Sequence, residues 1–165
     1  TKYFVVMEYD DKFTDSFNEV METEIKTDEN SIILPFNEFL SKDDIFLSFA
    51  NEIAWDAAFV EDQLGYLSID ALKVYKDFNV TGALINTHDY IEIGGLKQDM
   101  GIAMWYEFLL RALHFNKKVY VTPRVCYSHT ILRDGSYFET MKKQLTAEEG
   151  TKLIQKALDE YTQKQ

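Results

Sequence analysis

The sequence predicts an α/β fold, a mostly parallel or mixed sheet with flanking helices, on three observations. Short apolar runs rich in branched and aromatic residues recur at 3–7, 31–36, 79–85 and 119–122, as buried strands require. Stretches with apolar residues at helical spacing lie between and after them, most clearly at 100–115 and in the tail. With 46% apolar and 15% aromatic residues, two prolines and no low-complexity tract, 165 residues suit a single packed domain over 1–165.

The first element carries the most chemistry. Tyr3-Phe4-Val5-Val6-Met7 reads as a strand buried on both faces inside a parallel sheet, and it stops on Glu8, Asp10 and Asp11. Open α/β sheets bind ligands beyond the carboxyl ends of their strands, where these acids stand. Carboxylates so close together repel unless a cation intervenes, and Mg²⁺ or Mn²⁺ bridging to a substrate phosphate is the usual resolution. The same residues also suit an acidic turn capping the next helix, with Thr14 or Asp15 at its start. Both readings stand at this point.

Phe13, Phe17, Val20 and Met21 then predict a helix over 15–24. Residues 31–36 predict a second buried strand, ended by Pro35, which has no N–H for a ladder. From 37 to 75, apolar residues such as Phe46, Phe49 and Trp55 are interleaved with acids and predict a long, partly helical excursion across one face of the sheet, closed by a helix over 71–75. Residues 79–85 predict a third strand, with Gly82 placed for a close approach. Residues 89–93 predict a helical turn stopped by Gly94-Gly95. Met104, Phe108, Leu109 and Ala112 share one face of a helix predicted over 100–115, and Lys117-Lys118 follow its end. A fourth strand over 119–123, the run 125–129 and a polar loop over 132–136 come next. The C-terminal helix, within 145–165, opens on the capping box Thr146-Ala147-Glu148-Glu149.

A net charge of −11 argues against nucleic acid or an anionic membrane as a general partner, since neither gains from an acidic surface. Cys126, the single cysteine, has no internal partner, and its place in an apolar run marks it as packing. No apolar segment approaches a membrane span and none reads as a signal peptide, so the expected setting is reducing and cytoplasmic. The chain opens inside a strand on Thr1-Lys2 without methionine, which leads us to expect a preceding portion of the same protein.

Taken in order, these elements resemble a known family. A strand ending in Glu8-Tyr9-Asp10-Asp11, a strand with Gly82, the run Tyr90-Ile91-Glu92-Ile93-Gly94-Gly95-Leu96 and a helix ending Phe108-Leu109-Leu110-Arg111 come first. Lys118-Val119-Tyr120-Val121-Thr122-Pro123, Tyr127-Ser128-His129 and Arg133-Asp134-Gly135-Ser136 follow. Together they resemble the second half of a GT-A fold glycosyltransferase of family 2 type. The stretch Asn51-Glu52-Ile53-Ala54-Trp55 is similar to glycosyltransferase-like proteins of phages and large viruses. The likeness spans about Tyr3 to Phe138. It implies a GT-A-like sheet whose N-terminal nucleotide-binding strands lie upstream, a nucleotide-sugar donor, an acceptor hydroxyl and Mn²⁺ or Mg²⁺ as cofactor.

The resemblance also implies residue roles. Glu8, Asp10 and Asp11 correspond to the DxD element that holds the metal on the donor diphosphate; Glu8 replaces the usual first aspartate, so binding rests on Asp10 and Asp11. His129 stands where some members place a third metal ligand; a partly buried histidine hydrogen-bonded at the sheet's end is the competing reading. Gly94 and Gly95 correspond to backbone lining the sugar and acceptor pocket, against a plain helix stop. Beside these, Gly82 and Arg133 are candidate substrate-binding residues; Arg133, like Arg124, suits a diphosphate as a bidentate cation, with exposed arginines in surface pairs as the competing reading. The family's Glu-Asp pair, whose aspartate is the catalytic base, falls on Met104 and Trp105, so the match fails there. Glu107 and Asp99 are the nearest acids and hence the candidate catalytic residues, with a helix-surface pair to Arg111 as the competing reading of Glu107.

Two function classes follow: a metal-assisted glycosyltransferase, or a non-catalytic GT-A-like binding or structural module that has lost its base. A haloacid-dehalogenase-type phosphatase would need an aspartate where Glu8 stands.

Overall fold

The structure, a computed structural model, describes residues 1–26, 30–51, 65–131 and 135–162. Its strands are β1 (Tyr3–Val5), β2 (Lys12–Phe13), β3 (Ile32–Leu40), β4 (Phe46–Phe49), β5 (Leu84–Asn86) and β6 (Val119–Thr130). Its helices are α1 (Phe17–Lys26), α2 (Ile69–Val74), α3 (Thr87–Glu92), α4 (Met104–His114), α5 (Tyr137–Gln144) and α6 (Ala147–Thr162), with a 3₁₀ segment at Gln98–Ala103. Among the described residues the strands form one mixed sheet in the order β1-β5-β3-β6-β2, with β4 also on β3. Only β3 and β6 pair in parallel; the other pairs are antiparallel.

The architecture is therefore α/β, as expected, with a sheet that is mixed rather than mostly parallel. Alternation along β3 divides the core. Ile32 and Leu34 face a cluster built with Leu72, Phe108, Leu109 and Leu158 from α2, α4 and α6, while Ile33 faces Phe17, Val20 and Met21 of α1. Helices thus cover both faces. Among the described residues no helix is long and apolar enough to cross a membrane.

Several elements depart from expectation. The run 3–7 is not an inner strand of a parallel sheet: β1 is three half-buried residues at the sheet's end, antiparallel to β5. Its apolar side chains do touch both cores, which is why the run is unbroken. Pro35 does not end β3. Pairing with β6 is irregular at Leu34/Phe36, opposite the stretch that holds Pro123, so both prolines occupy a bulge where no ladder N–H is needed. That bulge lets 119–130 run on as one strand.

The stretch 37–75 begins as strand rather than helix, in the end of β3 and in β4; residues 52–64, including Trp55, lie outside the description. The predicted strand 79–85 shrinks to β5 because Gly82 takes a positive φ of 79°. The predicted helix 100–115 is α-helical only from Met104 on; its first residues belong to the 3₁₀ segment, which is kinked internally at Gly101 (φ 48°, ψ −125°). At the tail the capping box forms as read: Thr146 N donates to Glu149 Oε2 at 2.7 Å and Glu149 N to Thr146 Oγ1 at 3.2 Å.

Candidate functional site

β2 is short, but its register pairs Lys12 with Ser128 and Phe13 with Tyr127, so the preceding residue, Asp11, comes alongside His129. The Asp11 side chain is fully buried. Its Oδ1 accepts from Thr130 N at 3.0 Å, its Oδ2 from the Tyr127 hydroxyl at 2.7 Å, and His129 Nδ1 lies 2.9 and 3.0 Å from the two oxygens. Burial alone would push the Asp11 carboxyl up, but the bonds from His129, Tyr127 and Thr130 outweigh it and hold the carboxyl below its ordinary range. On the neighbouring strand Phe39 meets the His129 ring edge-on at 5.5 Å. Ring and carboxylate are thus fixed together.

Glu8 and Asp10 flank this pair, both half-buried in a turn closed by Asp11 N donating to Glu8 O, and Thr130 Oγ1 donates to Asp10 O. Among the described residues these acids and His129 do not bring three ligand atoms within 4.8 Å of one another. Mg²⁺ and Mn²⁺ do not require that, since such ions keep several waters and combine one or two carboxylates with substrate phosphates. The donor set fits on its chemistry: hard oxygens on one turn, and an imidazole whose second nitrogen already meets a carboxylate, the usual outer contact of a metal-ligating histidine. Gly82 belongs to the support of this pair. At its positive φ, a Cβ would stand 2.5 Å from Tyr127 Cγ, so the bare backbone makes room for the ring that holds Asp11.

The candidate base residues lie in a different environment. Glu107 is fully buried on α4. Its Oε1 accepts from Arg111 Nε at 2.9 Å and from the Tyr161 hydroxyl at 2.7 Å, and its Oε2 from Arg111 Nη2 at 3.0 Å; Lys97 Nζ lies 3.2 Å from Oε1. The Glu107–Arg111 pair exists, but in the core rather than on a helix surface. Oε1 faces three donors and Oε2 one, and the side chain is buried, so an acceptor hydroxyl would have to enter the core to reach this carboxylate. The Arg111 guanidinium continues to the carbonyl oxygens of Ile93 and Gly95. Gly94 and Gly95 end α3 at φ 89° and 65°, with Gly95 N donating to Tyr90 O. Asp99 is exposed on the 3₁₀ segment and bonds Lys156 of α6 at 2.9 Å, which holds its carboxyl below the ordinary range. Arg133 lies outside the described residues.

One three-membered group with converging ligand atoms does occur among the described residues: His88, Asp89 and Glu92 on α3. A cation already sits there. Lys117 Nζ is 2.8 Å from Asp89 Oδ1 and 2.6 Å from Glu92 Oε2. Cys126 is buried and its thiol is pushed up to about 12 by burial, so it has no thiolate chemistry at neutral pH. Tyr127 and Thr130 are site residues the sequence reading did not single out. The available signal was strand alternation, which places Tyr127 on the same side of β6 as His129.

No protein-family model matches the chain, and a search of curated proteins finds no match.

Proposed function

We propose that the chain carries the metal-dependent site of a GT-A-like glycosyltransferase, which passes a sugar from a nucleotide-sugar to an acceptor hydroxyl. The observation that supports this reading is the junction of the acidic turn 8–11 with His129, two segments far apart in sequence that β2 and β6 bring together. Glu8 and Asp10 would offer the oxygens and His129 Nε2 the nitrogen for Mn²⁺ or Mg²⁺. A cation bound there supplies charge neutralisation on the departing nucleotide diphosphate. The turn at Gly94-Gly95, held from behind by Arg111, offers a rigid backbone edge for the sugar or acceptor. A reducing, cytoplasmic setting goes with this reading.

The test is release of nucleotide diphosphate from a panel of labelled nucleotide-sugars, with Mn²⁺, Mg²⁺ or a chelator. Turnover that needs the cation and is lost in Asp10→Ala supports the transferase. A second reading, a binding module without catalysis, is favoured by one observation: Glu107 and Asp99 are both engaged in ion pairs. Cation-dependent donor binding with no turnover on any acceptor would select it. No cation-dependent binding of any donor would refute both.

A further inference from the structure

We propose that Asp11 is a positioning residue rather than a metal ligand: its carboxylate holds His129 as the Nδ1–H tautomer, leaving Nε2 with the lone pair a divalent cation would take. The inference rests on the metal-site reading above but makes a separate claim about the cation-free chain.

The geometry carries it. An ionised carboxylate has about four acceptor directions. At Asp11 they are filled by Thr130 N, the Tyr127 hydroxyl and a shared contact from His129 Nδ1. With the side chain fully buried, a cation could reach either oxygen only by displacing one of these donors and opening the β2–β6 junction. The donors also fix the direction of the histidine bond. A backbone N–H at Oδ1 is never an acceptor, so Asp11 receives there, and an ionised carboxylate has no proton to offer His129. The proton between Asp11 and Nδ1 therefore belongs to the ring, and the neutral imidazole is bare at Nε2. The Phe39 ring packs against the His129 ring in a T-shaped contact. Within one acidic run Asp11 thus serves the histidine, and the metal-site reading is left to Glu8, Asp10 and His129.

The experiment uses the ¹⁵N-labelled chain without metal, at a pH about two units above the ordinary histidine value of roughly 6.5. Long-range ¹⁵N–¹H spectra of the His129 ring should show a protonated Nδ1 and a bare Nε2. In Asp11→Asn an amide N–H can face Nδ1, so the opposite tautomer should become substantial, as an Asp-to-Asn change does to a triad histidine. Tyr127→Phe keeps the carboxylate and should keep the tautomer. Titrated with Mn²⁺, wild type should broaden His129 first, and Asp11→Asn should bind about 10–100-fold more weakly. A wild-type His129 protonated at Nε2 overturns the inference whatever Mn²⁺ does and however Asp11→Asn folds. An Asp11→Asn chain that folds and keeps the tautomer also overturns it. The expected tautomer with no Mn²⁺ broadening at His129 instead overturns the metal-site reading and leaves the Asp11–His129 relation standing.

Discussion

Arg111 closes a buried ion pair on Glu107, one turn back along α4, and with the same guanidinium grips the carbonyl oxygens of Ile93 and Gly95. Tyr161 of α6 and Lys97 donate into the same carboxylate, so one pair ties α4, α6 and the turn after α3 together. Removing the charge from one partner of a buried pair leaves the other uncompensated. Glu107→Gln should therefore cost about 3–5 kcal/mol in urea unfolding. A loss below about 1 kcal/mol, the range of an exposed pair, would show that the network does not brace the core.

Gly82 and Tyr127 make a second such dependence. Alanine at 82 must adopt φ 79° and place its Cβ against the Tyr127 ring. Gly82→Ala should lower stability by roughly 1–3 kcal/mol and shift the His129 ring resonances, because the ring it displaces holds Asp11. Unchanged His129 resonances would separate Gly82 from the site.

Acid should act through Asp11. Its folded carboxyl is held below the ordinary value of 3.8, so the unfolded chain takes up this proton first as pH falls. The stabilisation it provides is complete above the unfolded value and is lost as pH falls through the lower folded one. Wild type should thus lose stability more steeply below about pH 4 than Asp11→Asn, which starts less stable but has no carboxyl to titrate. Urea melts at stepped pH decide this, and parallel slopes would contradict it.

Local chemistry was legible in the sequence and pairing was not. The capping box at Thr146 and the glycine stop after α3 depend on neighbours within a few residues, and both formed as read. Partners were harder to see. Nothing local shows that 3–5 pairs only with β5 among the described residues, because an edge strand touching two cores looks as apolar as an inner one. Pro35 suggested an end, since the bulge that absorbs it is built jointly with the Pro123 stretch of a strand far along the chain. In the site, Asp11 and His129 were each singled out, but their contact depends on a two-residue strand whose register no periodicity reveals. Glu107 read as a candidate base or as half of a helix-surface pair, and its burial was not legible because burial of α4 on nearly every side follows from packing against α2 and α6.

The measurement that tests the central claim most directly is calorimetric titration of Mn²⁺ into wild type, His129→Ala, Asp10→Ala and His88→Ala. Binding should be lost or strongly weakened in His129→Ala and Asp10→Ala and unchanged in His88→Ala, whose cluster already holds Lys117. Binding that survives in His129→Ala and disappears in His88→Ala would move the cation to α3 and contradict the account.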